Sequence, residues 1–283
     1  MALPETVRLL TARVAVKRAG EDWNKIGDQA LFYWDSIISI PRALRLYKKE
    51  TLRLIAEISM GTGALAMIGG TVVVVGFLTL FTGGTIAVQG YSSLANIGVE
   101  ALTGFFSAFI NVRIAVPVIA GIALAATIGA GATAQLGAMR VSEEIDALEV
   151  MAIASVPFLV STRIVAGLVA IIPLYSLAAL ASFIASRFAT VVLYGQSGGV
   201  YDHYFSTFLI PSDILWSFVQ AIAMAVAVML IHTYYGFNAS GGPVGVGVAV
   251  GNAVRASLVV VVVITLLTSL AIYGADGNFN LAG

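Results

Sequence analysis

Long apolar runs, separated by shorter polar segments, dominate the pattern of hydrophobic and polar positions along the chain. A helix needs about 20 apolar residues to cross the hydrocarbon core of a bilayer. Five runs approach or exceed this length, and each predicts one membrane-spanning helix. The predicted helices lie within Ile58 to Val88, Ala101 to Gly131, Ile164 to Ser186, Ile214 to Tyr235 and Ala256 to Tyr273. The pattern therefore predicts an all-α membrane protein.

The polar segments predict on which side of the membrane each connection lies. Ten of the fifteen Lys and Arg residues lie between Arg8 and Arg53, ahead of the first run. Because basic residues concentrate on the cytoplasmic side, we expect the amino terminus inside and, after five crossings, the carboxyl terminus outside. Outer loops are expected at Gln89 to Glu100 and Arg187 to Asp213, inner connections at Ala132 to Met151 and Gly236 to Gly251, and the cytoplasmic edge of the last helix at Arg255.

The segment ahead of the first run has an amphipathic pattern of its own. An aromatic-rich patch from Leu31 to Ile38 precedes a stretch in which basic and apolar residues recur on opposite sides of a helix. The basic residues are Arg42, Arg45, Lys49 and Arg53, and the apolar ones are Leu44, Tyr47, Leu54 and Ile55. This pattern predicts an amino-terminal interfacial amphipathic helix. It divides the chain into a cytoplasmic segment, 1–57, and a transmembrane domain, 58–283.

The composition excludes several classes of protein. Hydrophobic residues make up 59% of the chain and charged residues 11%, with a mean hydropathy of +0.96. A soluble domain cannot hide that much apolar surface. Fifteen basic and fifteen acidic residues give zero net charge, so no overall positive field favours nucleic acid. Since the chain has no cysteine, disulfides and thiolate chemistry are excluded.

Motifs for nucleotide binding and hydrolysis are absent from the sequence. No G-x-x-x-x-G-K-[ST] loop occurs, so the chain cannot hold ATP in the usual phosphate loop. No serine lies in G-x-S-x-G, and His203 and His232 lack the spacing of a metal site. We therefore expect no catalytic residue, cofactor or metal in this chain, and energy from a partner.

The most informative connection contains a short acidic helix. Ser142 is expected to cap it, with Glu143 and Glu144 in the first turn, where acids favour the positive end of the helix dipole. On a helical wheel the apolar residues Ile145, Leu148, Met151 and Ala152 gather on one side, and the acids Glu143, Asp146 and Glu149 lie largely on the other. From the residues alone, a solvated connector and a docking helix for a partner remain equally open.

The stretch from Gly129 to Ala152 closely resembles the signature loop of the MlaE/YrbE permease family. The matching residues are Thr133, Ala134, Leu136, Gly137, Met139, Val141, Glu143, Ile145, Asp146, Ala147, Leu148, Glu149, Val150 and Met151. Further matches are Gln89, Gly90, Tyr91, Arg113, Pro117, Tyr235, Gly236 and Phe237. The resemblance therefore covers nearly the whole chain from the basic amphipathic segment onward.

The resemblance implies a permease subunit of an ATP-driven (ABC) lipid transporter in the bacterial inner membrane. The expected partners are a second permease, a cytoplasmic ATPase dimer that binds the ATP, a periplasmic assembly of MCE-domain proteins, and the lipid substrate. It implies that the loop helix couples to the ATPase through Arg140, Glu143, Glu144, Ile145, Asp146, Leu148, Glu149 and Met151. Residues expected on the lipid pathway are Tyr91, Arg113 and Pro117.

Two departures from the family pattern point to a heterodimer. Ile114 and Gln135 stand where the family usually carries Glu. Loss of both acids suggests one half of a heterodimer whose other half keeps them, as in actinobacterial Mce systems with two different YrbE subunits.

Arg113 interrupts the second apolar run. Because a charge inside a bilayer is costly unless paired or hydrated, and no acid of this chain is expected at that depth, we expect its partner in a second subunit, cavity water or an anionic headgroup. A snorkelling arginine is the alternative.

Two other functions fit a membrane protein of this kind. A secondary lipid carrier would place several ionisable groups or broken helices at mid-membrane, whereas the predicted spans contain only Arg113. A non-transporting membrane scaffold would share the topology but would not need the acidic loop helix.

Overall fold

The computed structural model describes residues 26–60 and 66–274. Within them, five helical segments are long and apolar enough to cross a membrane, which confirms the predicted number. These spans are Val73–Ala95, Glu100–Val141, Val156–Leu193, Pro211–Phe237 and Gly242–Ile272. The first span belongs to helix α4 (Ala66–Ala95). The span is displaced from the predicted window of Ile58 to Val88, because it runs on to Ala95 and Ile58 lies in the preceding helix.

The amino-terminal region forms three short helices instead of one amphipathic helix. Helix α1 covers residues 26–38, α2 covers Ile40–Leu46 and α3 covers Lys48–Met60, across position 57. A break at Tyr47 separates α2 from α3. Ala43, Thr51 and Leu54 are buried, and of the other predicted apolar residues Tyr47 and Ile55 are half-buried. Leu44 is exposed. The region packs on the bundle, since Ser161 Oγ donates to the Ser36 carbonyl at 2.8 Å.

Helix α5 is much longer than the second apolar run. It runs from Thr103 to Val141 and contains two π turns, Asn111–Ala115 and Ala125–Gly129. The predicted loop over Ala132 to Met151 is therefore wrong in its first half, because this part continues the helix. Its second half contains α6 (Glu144–Val150), a helix of under two turns. A helix can leave the bilayer without ending, and polarity alone does not mark that transition.

The third and fourth spans are joined by a further helix. Helix α7 begins with the π turn Val156–Ser161, continues through Thr162–Phe188 and closes with the π turn Ala189–Leu193. Helix α8 (Gly198–Phe208) follows, and α9 (Pro211–Phe237) forms the fourth span. The segment from Arg187 to Asp213 is thus largely helical, contrary to the loop predicted from its glycines.

Helix α10 (Gly242–Tyr273) includes most of the glycine-rich segment that we expected to be an inner connection. Only Asn238 to Gly241 separate it from α9, and Gly241 takes a φ of +90° that suits glycine. Arg255 consequently lies 13 residues inside the helix rather than at its edge. The glycine-rich segment therefore forms the first turns of a helix, and Val246 within it lies close to Gly137 of α5.

The core lies between α5, α7 and α9, with α4 and α10 at the periphery. Buried residues from all five helices meet in one cluster that includes Val75, Leu124, Ile171, Met224 and Val261. Glycines permit the close approach: a Cβ at Gly121 would lie 2.9 Å from Met224 Sδ. Most of α10 remains exposed, so its outer face is free to contact lipid or another subunit.

The bundle has two chemically different ends. We call the end that carries α6 the α6 end, and the opposite end, against which α8 packs, the α8 end. Helix α1 lies at the α6 end, where Phe32 and Tyr33 form edge contacts with Tyr234, at centroid distances of 5.4 and 5.8 Å. Tyr47 of the adjoining segment packs on Phe158 in the same way.

Candidate functional site

Helix α6 is held in a fixed position at the end of the bundle. Arg140 of α5 forms an ion pair with Asp146 at 2.6 Å. Ser155, just before α7, donates a hydrogen bond to Glu149 at 2.7 Å. Its two flanking residues, Glu143 and Ala152, have φ values of +60° and +59°, which are uncommon for residues other than glycine. Two sharp backbone turns and two side-chain contacts therefore connect α6 to the second and third spans.

The predicted cap at Ser142 is wrong. Its hydroxyl donates back to the carbonyl of Ala138 at 3.0 Å, so Ser142 ends α5. Glu143 occupies the capping position and makes no side-chain capping bond.

The apolar side of α6 packs mainly on its own protein. Ile145 is fully buried in a cluster with Leu136 and Leu159, and Leu148 is half-buried against the same cluster. Ile145 and Leu148, two of the predicted coupling residues, therefore pack α6 against its own chain. Arg140 is half-buried, and the remaining five are exposed: Glu143, Glu144, Asp146, Glu149 and Met151.

Sequence reasoning missed Val150, which is 89% exposed at the end of α6. Together with exposed Met151 it forms an apolar tip on a short helix that also carries the exposed acids Glu144, Asp146 and Glu149. An exposed apolar tip with an acidic rim is typical of a protein contact surface. The helical wheel placed Met151 with Ile145 because it assumed a continuous helix, whereas α6 ends at Val150.

The expectation that Arg113 lacks an acidic partner in its own chain is wrong. Its Nε and Nη2 atoms donate to Asp213 Oδ2 at 3.0 and 2.8 Å. The Phe109 ring centroid lies 4.1 Å from its guanidinium carbon, close enough for a cation–π contact. The side chains of Arg113 and Asp213 are 9% and 16% exposed. Asp213 comes 100 residues later, in the first turn of α9, so spacing along the chain gave no sign of the pair.

Neighbouring contacts place Arg113 near one membrane boundary. Asn111 donates to Ser186 Oγ at 2.9 Å, beside Arg187. Arg187 forms an ion pair with Asp202 in which both side chains are about half exposed, at 53% and 52%. Half-exposed charges belong outside the hydrocarbon core. Arg113 therefore lies close to the level of charges at the α8 end.

Arg163 gives a reference level near the α6 end of the bundle. Its Nη2 lies 3.9 Å from Met139 Sδ, at the α6 end of α5. The 26 residues from Arg113 to Met139 span about 39 Å at 1.5 Å per residue, whereas the hydrocarbon core is about 30 Å thick. In a helix near the membrane normal, Arg113 and Met139 therefore cannot both lie within the hydrocarbon core.

Pro117 is buried in the same helix and explains its local geometry. The π turn Asn111–Ala115 lies directly before it. Because proline has no N–H to donate to the carbonyl four residues earlier, the regular α-helical ladder is interrupted there. The wider turn carries both Arg113 and Asn111, so Pro117 contributes to positioning these polar groups.

Tyr91 lies at the mouth of an apolar groove between α4 and α7. It stacks on Tyr194 at a centroid distance of 4.2 Å, while the neighbouring Ser92 approaches the Tyr194 hydroxyl at 3.4 Å. The groove has a volume of about 500 Å³. Its lining includes Phe77, Phe81, Gly84, Val88, Ile184 and Phe188. Arg113 and Pro117 do not line it, so the three predicted pathway residues fall at separate places.

A buried polar network holds the groove's two walls together. Ser182 Oγ donates to Asn111 Oδ1 at 2.6 Å, and Ser186 Oγ donates to the Gly83 carbonyl at 2.8 Å. Together with the hydrogen bond from Asn111 to Ser186, these contacts join α4, α5 and α7. None of these bonds was predicted from the sequence, although polar residues inside apolar runs were the available signal.

The chain is similar to one family of membrane permeases. The model of a family described as Permease MlaE matches residues 60–271. A probable ABC transporter permease protein of Rickettsia bellii is 32% identical, over 54% of this chain and 60% of the relative. One from Synechocystis is 25% identical, over 58% and 63%. The chloroplastic protein TRIGALACTOSYLDIACYLGLYCEROL 1 of Arabidopsis thaliana is 26% identical, over 57% and 46%. The chain thus aligns with between about half and two thirds of each relative's length.

Proposed function

Because the chain belongs to the MlaE permease family, we propose that it is the membrane-spanning subunit of an ATP-driven transporter that moves lipid. The observation that carries this proposal is α6, a short helix packed on the protein through Ile145, which presents an exposed apolar tip and exposed acidic residues at one end of five membrane spans. An ATPase docking there could transmit its motion to the spans.

Charge distribution supports an orientation with the α6 end in the cytoplasm. The described residues at that end include seven basic ones: Arg42, Arg45, Lys48, Lys49, Arg53, Arg140 and Arg163. The described residues at the α8 end include Arg113 and Arg187. Since basic residues favour the cytoplasmic side, the amino terminus lies inside and the carboxyl terminus outside, in a bacterial inner membrane.

The coupling route runs from α6 into two spans. A force on Val150 or Met151 reaches α5 through the bond between Arg140 and Asp146, and α7 through that between Glu149 and Ser155. Packed helices respond to such displacement by small shifts against each other. The coupling surface that we propose is therefore the exposed part of α6, namely Glu143, Glu144, Asp146, Glu149, Val150 and Met151.

The groove between α4 and α7 is the proposed lipid path. Its lining is apolar, and aromatic and hydroxyl groups stand at its mouth, as suits an acyl chain below a headgroup. The name of the Arabidopsis relative contains that of a galactolipid, trigalactosyldiacylglycerol. Lipid received here would pass to MCE-domain proteins on the outer side.

A second permease of the YrbE type is the proposed partner within the membrane. Ile114 and Gln135, where the resemblance leads us to expect acids, are both exposed on α5. Their surface can therefore be completed by a different subunit that carries those acids, as in a heterodimer.

A substitution that fills the groove tests whether lipid passes through it. A Cβ at Gly84 meets nothing within 4 Å, so Gly84→Phe would fill the groove without a clash along the helix. Gly76→Phe is the matched control, because Gly76 also has open space, lies on the same helix and does not line the groove. In vesicles containing the complete transporter, Gly84→Phe should block ATP-dependent lipid movement, while the control should retain it.

Two outcomes would count against the proposal. Equal transport by both variants would show that lipid does not use this groove. Lipid movement that needs no ATP or ATPase would instead favour a secondary carrier.

A further inference from the structure

A second pocket lies at the α6 end, between the amino-terminal helices and the segment that follows α6. Its volume is about 420 Å³. Asp35, Ser39 and Arg42 form one wall, and Glu149 and Ser155 are on the other. It is separate from the apolar groove.

Unused polar groups face this pocket. Ser39 is 9% exposed, and its hydroxyl does not cap α2 and has no partner within residues 26–60 and 66–274. Arg42 and Asp35 likewise form no ion pair or side-chain hydrogen bond in the described chain. Ser155, 5% exposed, donates to one oxygen of Glu149 and leaves the other oxygen free to accept. The Ser39 hydroxyl, the Arg42 guanidinium and the free Glu149 oxygen are therefore all available to a ligand in the pocket.

The pocket lies beside a membrane-facing surface. Leu31, Trp34 and Ile38 form an exposed apolar stripe along α1. A helix with such a stripe and an interfacial tryptophan lies in the headgroup region of a bilayer. Asp35 directly follows Trp34, so the pocket opens on the flank of α1 at the level of lipid headgroups.

The charges of the pocket match a zwitterionic headgroup. One guanidinium, from Arg42, and the Ser39 hydroxyl can hold a phosphate, while two carboxylates, from Asp35 and Glu149, can accept hydrogen bonds from an ammonium group. No aromatic residue is found among the described residues that line the pocket. Quaternary ammonium groups are usually bound by aromatic rings, whereas a primary ammonium offers three donors to carboxylates.

We propose that this pocket binds the phosphoethanolamine headgroup of a lipid in the leaflet on the α6 side. The phosphate lies at Arg42 and Ser39, and the ammonium lies between Asp35 and Glu149. The bound lipid joins the amino-terminal helices to the segment that positions α6. The site requires only that α1 lies at the membrane surface and does not depend on what the protein transports.

Native mass spectrometry of the full chain in detergent tests this site, with phosphatidylethanolamine, phosphatidylcholine and phosphatidylglycerol supplied in equal amounts. We expect preferential retention of phosphatidylethanolamine. Arg42→Ala should weaken its retention roughly tenfold, as expected for loss of a charge-assisted hydrogen bond. Arg45→Ala is the matched control, because Arg45 is exposed on the same helix and does not line the pocket. Asp35→Asn should reduce the preference for phosphatidylethanolamine over phosphatidylcholine.

Several results would overturn the assignment. Equal retention of the three lipids by the unmodified protein, or equal losses in Arg42→Ala and Arg45→Ala, would indicate unspecific adsorption. Full displacement of the lipid by an equal concentration of soluble O-phosphoethanolamine would show that the acyl chains add nothing to binding, and would assign the pocket to a soluble phosphate monoester instead of a lipid. If Arg42→Ala weakened ATPase binding and left lipid retention unchanged, the pocket would belong to the ATPase contact.

Discussion

Arg113 and Asp213 form an ion pair between the second and fourth spans, in which Arg113 Nε and Nη2 donate to Asp213 Oδ2 at 3.0 and 2.8 Å. Both side chains are largely buried. The pair connects the π turn before Pro117 to the first turn of α9. It is therefore placed to fix the relative position of these two helices at the α8 end.

Breaking this pair should destabilise the protein. Arg113→Gln leaves the Asp213 carboxylate with a weaker partner in a nearly buried place, so we expect the free energy of unfolding to fall by about 3 kcal/mol. Arg187→Gln, which breaks the half-exposed pair with Asp202, should cost at most about 1 kcal/mol. Thermal unfolding in detergent measures both. Adding Asp213→Asn to Arg113→Gln should recover part of the loss, and equal effects of the two single variants would contradict the burial argument.

The exposed tip of α6 should control ATPase binding. Val150→Asp places a charge where an apolar contact is expected, and should weaken binding of the cognate ATPase at least tenfold without lowering stability. Val150→Thr, which keeps the shape, should bind nearly as well. Leu148→Asp should instead disturb the packing of α6, because Leu148 contacts the permease core. Unchanged ATPase affinity in Val150→Asp would show that the ATPase contacts another part of the permease.

The two bends that flank α6 should tolerate glycine, whereas its middle should not. Ala152 has a φ of +59°, so Ala152→Gly should preserve or strengthen α6 by up to about 1 kcal/mol. Ala147, exposed within the helix, is the control: Ala147→Gly should weaken α6 by about 1 kcal/mol. Hydrogen exchange of the amides in residues 144–153 reports each effect locally. Faster exchange in Ala152→Gly than in Ala147→Gly would refute the assigned backbone geometry.

Adjacent glycines of α4 should respond oppositely to alanine. A Cβ at Gly83 would lie 2.7 Å from Ser182 Oγ and closer still to the Ser182 carbonyl, so Gly83→Ala must push α4 away from α7. We expect a loss of about 1–3 kcal/mol and disruption of the network at Ser186. Gly84→Ala meets open space and should be neutral or slightly stabilising. Melting temperatures distinguish the two, and equal values would show that α4 does not pack as described.

The sequence alone determined the number of spans and the family. Span count follows from apolar length because bilayer thickness fixes how many residues must be apolar, and this requirement is local. The density of matches around Glu143 to Met151 was equally local, and the family match over residues 60–271 confirmed it. The existence of a helix at α6 was predictable for the same reason.

Only the tertiary structure decided how these elements are used. The pairing of Arg113 with Asp213 joins positions 100 residues apart, which no periodicity reveals. Gly242 to Gly251 form the start of a helix rather than the predicted connection, with Val246 close to Gly137 of α5. Ile145 and Val150 are both apolar in the sequence, yet one is buried and the other exposed. Burial depends on neighbours brought together by the fold, and the local sequence does not contain that information.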